Sequence, residues 1–155
     1  MPRLEADGPG EMAELSDQLI LLVDDDQMGR SVRKLVLEAQ GHQVIAVGEV
    51  ELALRTLQEQ PIRLAIIDYF LDGMTGTELA RKIRGLKPQV PILLLSGSAD
   101  VPDGVEQVDD YLSKLEPVAV IEAKIAELLQ RQQPPRFGPR YAVDWRQGGS
   151  KRKGC

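Results

Sequence analysis

Five short apolar runs, four of them followed by an amphipathic stretch, restrict this chain to very few folds. The runs are QLILLV (18–23), QVIAV (43–47), RLAIID (63–68), PILLLS (91–96) and a shorter one inside DDYLSK (109–114). Near-continuous apolar runs of strand length are buried on both faces, as in a parallel sheet. The stretches after them carry helical spacing. QMGRSVRKLVLEAQ places Met28, Val32, Leu35, Val36 and Ala39 on one face, and Gly41 suits its end. EVELALRTLQEQ spaces Val50, Ala53, Leu54 and Leu57, and Pro61 stops it. TELARKIRGL turns Leu79, Ala80 and Ile83 inward, and PVAVIEAKIAELLQRQ opens on Pro117, a residue suited to a first turn. Strand–helix alternation of this kind predicts an α/β sandwich around a doubly wound, five-stranded parallel sheet. Ligands of such sheets bind beyond the carboxyl ends of the strands.

The ends of the chain differ from its middle. Residues 1–17 set five acids against Arg3, and residues 134–155 set six bases against Asp144. Both segments read as flexible tails, one acidic and one basic, around a domain at 18–133. Only 4% of the residues are aromatic, so the core must be aliphatic. The net charge of −5 argues against nucleic acid as a partner. The apolar runs are too short to span a membrane, and the N-terminus lacks an apolar signal core. The one cysteine, Cys155, permits no internal disulfide, which fits a reducing cytoplasm. In the basic tail, Tyr141 and Trp145 stand among arginines, a composition that can anchor docking.

Polar residues converge where the strands end. Asp24 and Asp25 follow the first strand, Asp68 closes the third, Ser96 the fourth, and Lys114 follows the fifth. Adjacent carboxylates disfavour one another's ionised forms unless a cation stands between them. Three acids at one rim suit Mg²⁺, and Ser96 and Lys114 can hold an anion against it. Asp26, one place further on, has the residue type favoured at a helix N-cap.

These motifs, VDD (23–25), IID to GMTG (66–76), LLLSG (93–97) and DDYLSK (109–114), resemble in order and position those of response-regulator receiver domains. The resemblance covers nearly all of 18–133 and implies a flavodoxin-like fold. It implies that Asp68 accepts a phosphoryl group from a histidine kinase or histidine phosphotransfer protein. Asp25 matches the direct Mg²⁺ ligand, Asp24 the acid that assists it, and Phe70 the residue whose backbone carbonyl completes the site. Ser96 and Lys114 match the hydroxyl and the lysine that engage the phosphoryl group. Ser96 and Tyr111 match the pair that moves on activation. The implied role is a cytoplasmic, single-domain switch rather than an enzyme with a separate substrate.

The chain also departs from that pattern. Asp72 stands where proline is usual, which would loosen the loop after the third strand. Leu115 replaces the proline after Lys114, so that bond is either trans with a shifted lysine or a costly cis. GSADVPDGVEQVDD leaves too little room for a full fourth helix, which is expected to be shortened or absent. These departures feed an alternative reading, a phosphorylation-independent scaffold of the same fold. A phosphohydrolase of the haloacid dehalogenase type wants an aspartate two residues beyond the nucleophile, where this chain has Phe70.

Overall fold

The three central apolar runs become buried strands with helices over both faces of the sheet, and the two edge strands are partly exposed. The computed structural model describes residues 19–97 and 100–132. The order is β1 (Leu19–Val23), α1 (Gln27–Ala39), β2 (Gln43–Val47), α2 (Val50–Glu59), β3 (Leu64–Asp68), a hairpin of β4 (Phe70–Leu71) and β5 (Met74–Thr75), and α3 (Gly76–Leu86). Then come β6 (Ile92–Ser96), a 3-10 turn (Val105–Gln107), β7 (Asp110–Ser113) and α4 (Val118–Gln132). The tails, with Tyr141 and Trp145, lie outside the described residues, as does Ser98.

The five main strands form one parallel sheet in the order β2-β1-β3-β6-β7. This is the expected doubly wound, flavodoxin-like arrangement. Alternate residues of each strand feed two separate cores, as the two-residue period of a strand requires. Leu21, Val23, Ala65, Ile67 and Leu94 meet Ala53 and Leu57 of α2 and Leu79, Ala80 and Ile83 of α3. Ile20, Leu22, Ile66, Leu93 and Leu95 meet Leu37 of α1 and Ile121, Ile125, Leu128 and Leu129 of α4.

Three local expectations need correction. The stripe read as the inner face of α1 is largely exposed: Met28 is 75% accessible, Leu35 66% and Val32 55%, while the buried residue is Leu37. Met28, Val32 and Val36 line an open groove whose other wall carries Val118 and Ile121 of α4. The better-covered side of α1 includes Arg30 and Arg33, so this helix does not sort cleanly by polarity. The loop after β3 is not loosened by Asp72. Asp72 and Gly73 form a two-residue turn that closes the β4–β5 hairpin, with Gly73 at φ +92. Pro117 lies just before α4, where its carbonyl accepts the amides of Val120 and Ile121.

Other ends follow the sequence. Gly41, at φ +98, closes α1: its N–H donates to Glu38 O and that of His42 to Leu37 O. The fourth helix is reduced to the 3-10 turn. Asp109 secures this connection, accepting from the Ile92 amide at 2.7 Å and from Arg84 of α3 at 3.1 Å.

Two glycines of α3 should respond oppositely to alanine. A Cβ at Gly76 would stand 2.4 Å from the Asp68 carbonyl oxygen and 2.8 Å from Leu94 Cδ1. Gly85 is exposed and has open space there. Gly76→Ala should destabilise by about 1–3 kcal/mol, and Gly85→Ala should stabilise by up to about 1 kcal/mol. Urea unfolding of both variants measures this, and a neutral Gly76→Ala would contradict the close packing.

Candidate functional site

The order of strand addition switches from one side of β1 to the other between β2 and β3, and the strand register brings the acids together there, between β1 and β3. Val23 pairs with Ile67, so Asp24 and Asp68 are neighbours one residue further along. Asp24 is buried, and its amide donates to Val47 O of β2 at 3.1 Å. Its Oδ1 accepts the amide of Asp26 at 3.0 Å. Asp26 caps α1 as expected, with Oδ2 accepting from the Gly29 amide at 2.8 Å. Asp25 is exposed at the rim and Asp68 is buried. Oxygens of Asp24, Asp25 and Asp68 lie within 4.8 Å of one another.

Lys114 completes the cluster. Its Nζ stands 3.1 Å from Asp68 Oδ2 and 3.4 Å from Asp24 Oδ2. No cis peptide occurs among the described residues, so the bond to Leu115 is trans, and the lysine still reaches both acids. The backbone sets it there: Ser113 pairs with Ser96, and the Lys114 amide donates to Ser96 O at 2.8 Å. Ser96 is buried at the end of β6. Tyr111 is half-buried in β7 and packs on the core beneath α2 and α3. The Phe70 side chain is 64% exposed and meets the Tyr69 ring edge-on, with centroids 4.8 Å apart. Tyr69, Phe70 and Ser96 share a cavity of about 170 Å³ with Val101, Pro102, Asp100 and Asp103.

The hairpin that carries Phe70 was not read from the sequence. Its signal was the Asp72–Gly73 pair, which favours two-residue turns between short strands.

The electrostatics of the cluster are unbalanced. Burial pushes the Asp68 carboxyl above its ordinary value of 3.8; Lys114 opposes this by charge and hydrogen bonding, and Asp24 and Asp25 add to it. One lysine does not offset burial together with two neighbouring acids. The donor set fits Mg²⁺, which takes oxygen ligands at about 2.0–2.1 Å and keeps several waters. Oxygens on opposite sides of such an ion stand roughly 4 Å apart, near the observed spread, and a water can span the remainder.

Comparisons with known proteins agree with this fold. The family model of the response regulator receiver domain matches residues 20–126. The chain is 37% identical over 116 residues to the transcriptional regulatory protein AfsQ1 of Streptomyces coelicolor, covering 72% of this chain and 51% of that protein. It is 36% identical over 116 residues to the two-component response regulator PhoP of Pseudomonas aeruginosa, covering 72% and 52%. The chain thus spans about half the length of these curated relatives. Among solved structures, a CheY-like receiver domain from Methanospirillum hungatei superposes with a TM-score of 0.68 at 28% identity, covering 74% of this chain and 95% of that one. TrrA from Thermotoga maritima, determined in complex with Mg(2+)-BeF, gives 0.67 at 26% identity, covering 72% and 98%.

The raised carboxyl makes a prediction with a definite sign. Asp68 holds its proton more tightly folded than unfolded. Its contribution to stability is therefore complete below the ordinary carboxylate value and is lost as pH rises through the raised one. Asp68→Asn, which cannot ionise, should melt a few degrees above wild type at neutral pH in EDTA. The gap should shrink below about pH 4, and Mg²⁺ should narrow it by binding the folded wild type. Thermal melts across pH test this, and an Asn variant that melts lower at neutral pH would reject it.

Proposed function

This chain belongs to the response regulator receiver family, and on that footing we propose that Asp68 accepts a phosphoryl group from phosphohistidine on a kinase or phosphotransfer protein. The observation that carries this reading is the meeting of Asp24, Asp25, Asp68 and Lys114 at the carboxyl ends of the strands, where the strand order switches. Asp25 and Asp68 would hold Mg²⁺ directly, Asp24 through water, and Phe70 through its backbone carbonyl. When bound, the ion supplies positive charge against the phosphoryl oxygens.

An Asp68 oxygen attacks phosphorus, the new O–P bond forms, and the P–N bond to the donor imidazole breaks. The electron pair leaves on the imidazole nitrogen, which takes up a proton. Lys114, already 3.1 Å from Asp68, neutralises charge on the transferred group. Ser96 donates its hydroxyl to that group, and Tyr111 repacks in response. The acyl phosphate later hydrolyses, so the protein is part catalyst and part substrate, and its product is a conformational state. The exposed stripe of Met28, Val32 and Leu35 stands on the helix that leaves the acidic rim, a place where a phosphodonor protein can dock. A cytoplasmic setting follows from such a donor. Among the described residues no helix is long and apolar enough to cross a membrane.

Incubation with acetyl phosphate and Mg²⁺ should add one phosphoryl group to Asp68, seen by intact mass and peptide mapping. Asp68→Asn should abolish it. Uptake by that variant at the wild-type rate would overturn the assignment.

Lifetime gives a further check. The Phe70 ring lines the cavity beside Ser96, where a bulky apolar group can exclude water but cannot orient it. Phe70→Asn should speed loss of the phosphoryl group by about tenfold, equal to ~1.4 kcal/mol in barrier. Decay after donor removal at fixed Mg²⁺ measures this, and equal or slower decay in the variant would exclude Phe70 as the gate.

A further inference from the structure

We propose that Arg30 is a positioning residue for the metal-binding loop, acting from behind it and seated on Gly48. The inference rests on the Mg²⁺ reading above. Asp24 and Asp25 are adjacent, so the orientation of the peptide between them fixes how the two carboxylates splay. That peptide exposes one carbonyl, Asp24 O, and Arg30 Nη1 donates to it at 2.7 Å. The preceding amide, Asp24 N–H, is held by Val47 O at 3.1 Å. The backbone of Asp24 is thus gripped on both sides, by β2 and by a side chain of α1.

The guanidinium reaches this carbonyl by lying against the turn after β2. A Cβ on Gly48 would stand 2.3 Å from Arg30 Nη1, 3.1 Å from Cζ and 3.6 Å from Nη2, and these are the three nearest atoms it would meet. Gly48 does not adopt a positive φ. Its lack of a side chain therefore serves the arginine and not the backbone. The arrangement also explains why α1 turns an arginine toward the domain while leaving Met28 and Val32 outside. A cation near a helix N-terminus opposes the helix dipole, and the Asp24 carbonyl and neighbouring acids offset that. Arg30 is not itself among the residues that would hold the ion. It supports them from outside, as groups around a metal site commonly do.

The test uses two variants that disturb one contact from opposite sides. Arg30→Met removes the donor. Gly48→Ala keeps the arginine but occupies its seat, and a flexible side chain can swing away without unfolding the protein. Binding of MgCl₂ is followed by amide chemical shifts in NMR titrations. Both variants should bind Mg²⁺ about tenfold more weakly, at the low end of the loss seen when supporting groups are removed. The double variant should lose no more than either alone, because both act through one contact. Without Mg²⁺, the Asp25 amide should shift in both. Arg30→Lys should recover part of the affinity. Lys34→Met, which removes an exposed cation one turn along the same helix, should leave it unchanged.

Wild-type affinity in folded Gly48→Ala or Arg30→Met would overturn the inference while leaving the metal reading intact. An equal loss in Lys34→Met would reduce it to general charge and overturn it too. A wild-type protein that binds no Mg²⁺ would overturn the metal reading first and this inference with it. Should Arg30→Met fail to fold, Gly48→Ala and Arg30→Lys still decide the outcome.

Discussion

Three carboxylates face one ammonium group at the point where the strand order switches, and much of the surrounding structure holds that imbalance in place. Register does the first part: Val23 opposite Ile67 makes neighbours of Asp24 and Asp68. Backbone pairing does the second, since Ser113 beside Ser96 delivers Lys114 to the acids although the residue after it is not proline. The N-cap of α1 takes Asp26 out of the cluster, so two acids from this loop face Asp68 instead of three. Each device is backbone geometry fixed by the cores on either side, and so the acids have little freedom to move apart.

Burial of Asp68 makes this costly. A carboxyl on the surface would relax its repulsion into water, whereas one buried at the end of β3 is pushed toward its neutral form. The attacking form in the proposed reaction is the carboxylate, which a bound cation would favour. A cation and a phosphoryl group that enter such a place meet fixed charges in a partly dry setting, where electrostatic effects are larger than in water. The interactions that oppose folding in the ion-free protein are those that favour the ligand, so stability and affinity are linked through the same oxygens.

The sequence revealed the sheet clearly because a parallel strand covered on both faces leaves a continuous apolar run, as in LAIID and ILLLS. The site was legible for a related reason. Strands of one parallel sheet end at one rim, so residues distant in sequence could be grouped by position alone. Helix α1 was less legible. Periodicity identifies a stripe but not what covers it, and the stripe of Met28, Val32 and Val36 borders an open groove instead of the core. The contact of Arg30 with Asp24 left no trace, since an arginine in a helix reads as a surface residue until the turn at Gly48 is seen beside it. The hairpin at Asp72–Gly73 had a signal, but a two-residue strand is too short to show alternation.

The side chain of Asp109 gives the fourth strand of the main sheet the mechanics of a cantilever. It clamps the base of β6 by holding the Ile92 amide and Arg84 of α3 together, while Ser96 stands at the other end. A displacement imposed at the tip of a clamped beam dies away toward its root. With a three-residue turn where a whole helix could have carried the motion outward, the lever is short. Moving a two-state equilibrium from 1:99 to 99:1 needs about 5.5 kcal/mol of differential interaction, and on the proposed function the residues around the rim are the first to supply it. On the proposed function, the surface nearest Ser96 is the shortest route by which a molecule could read the state of this domain.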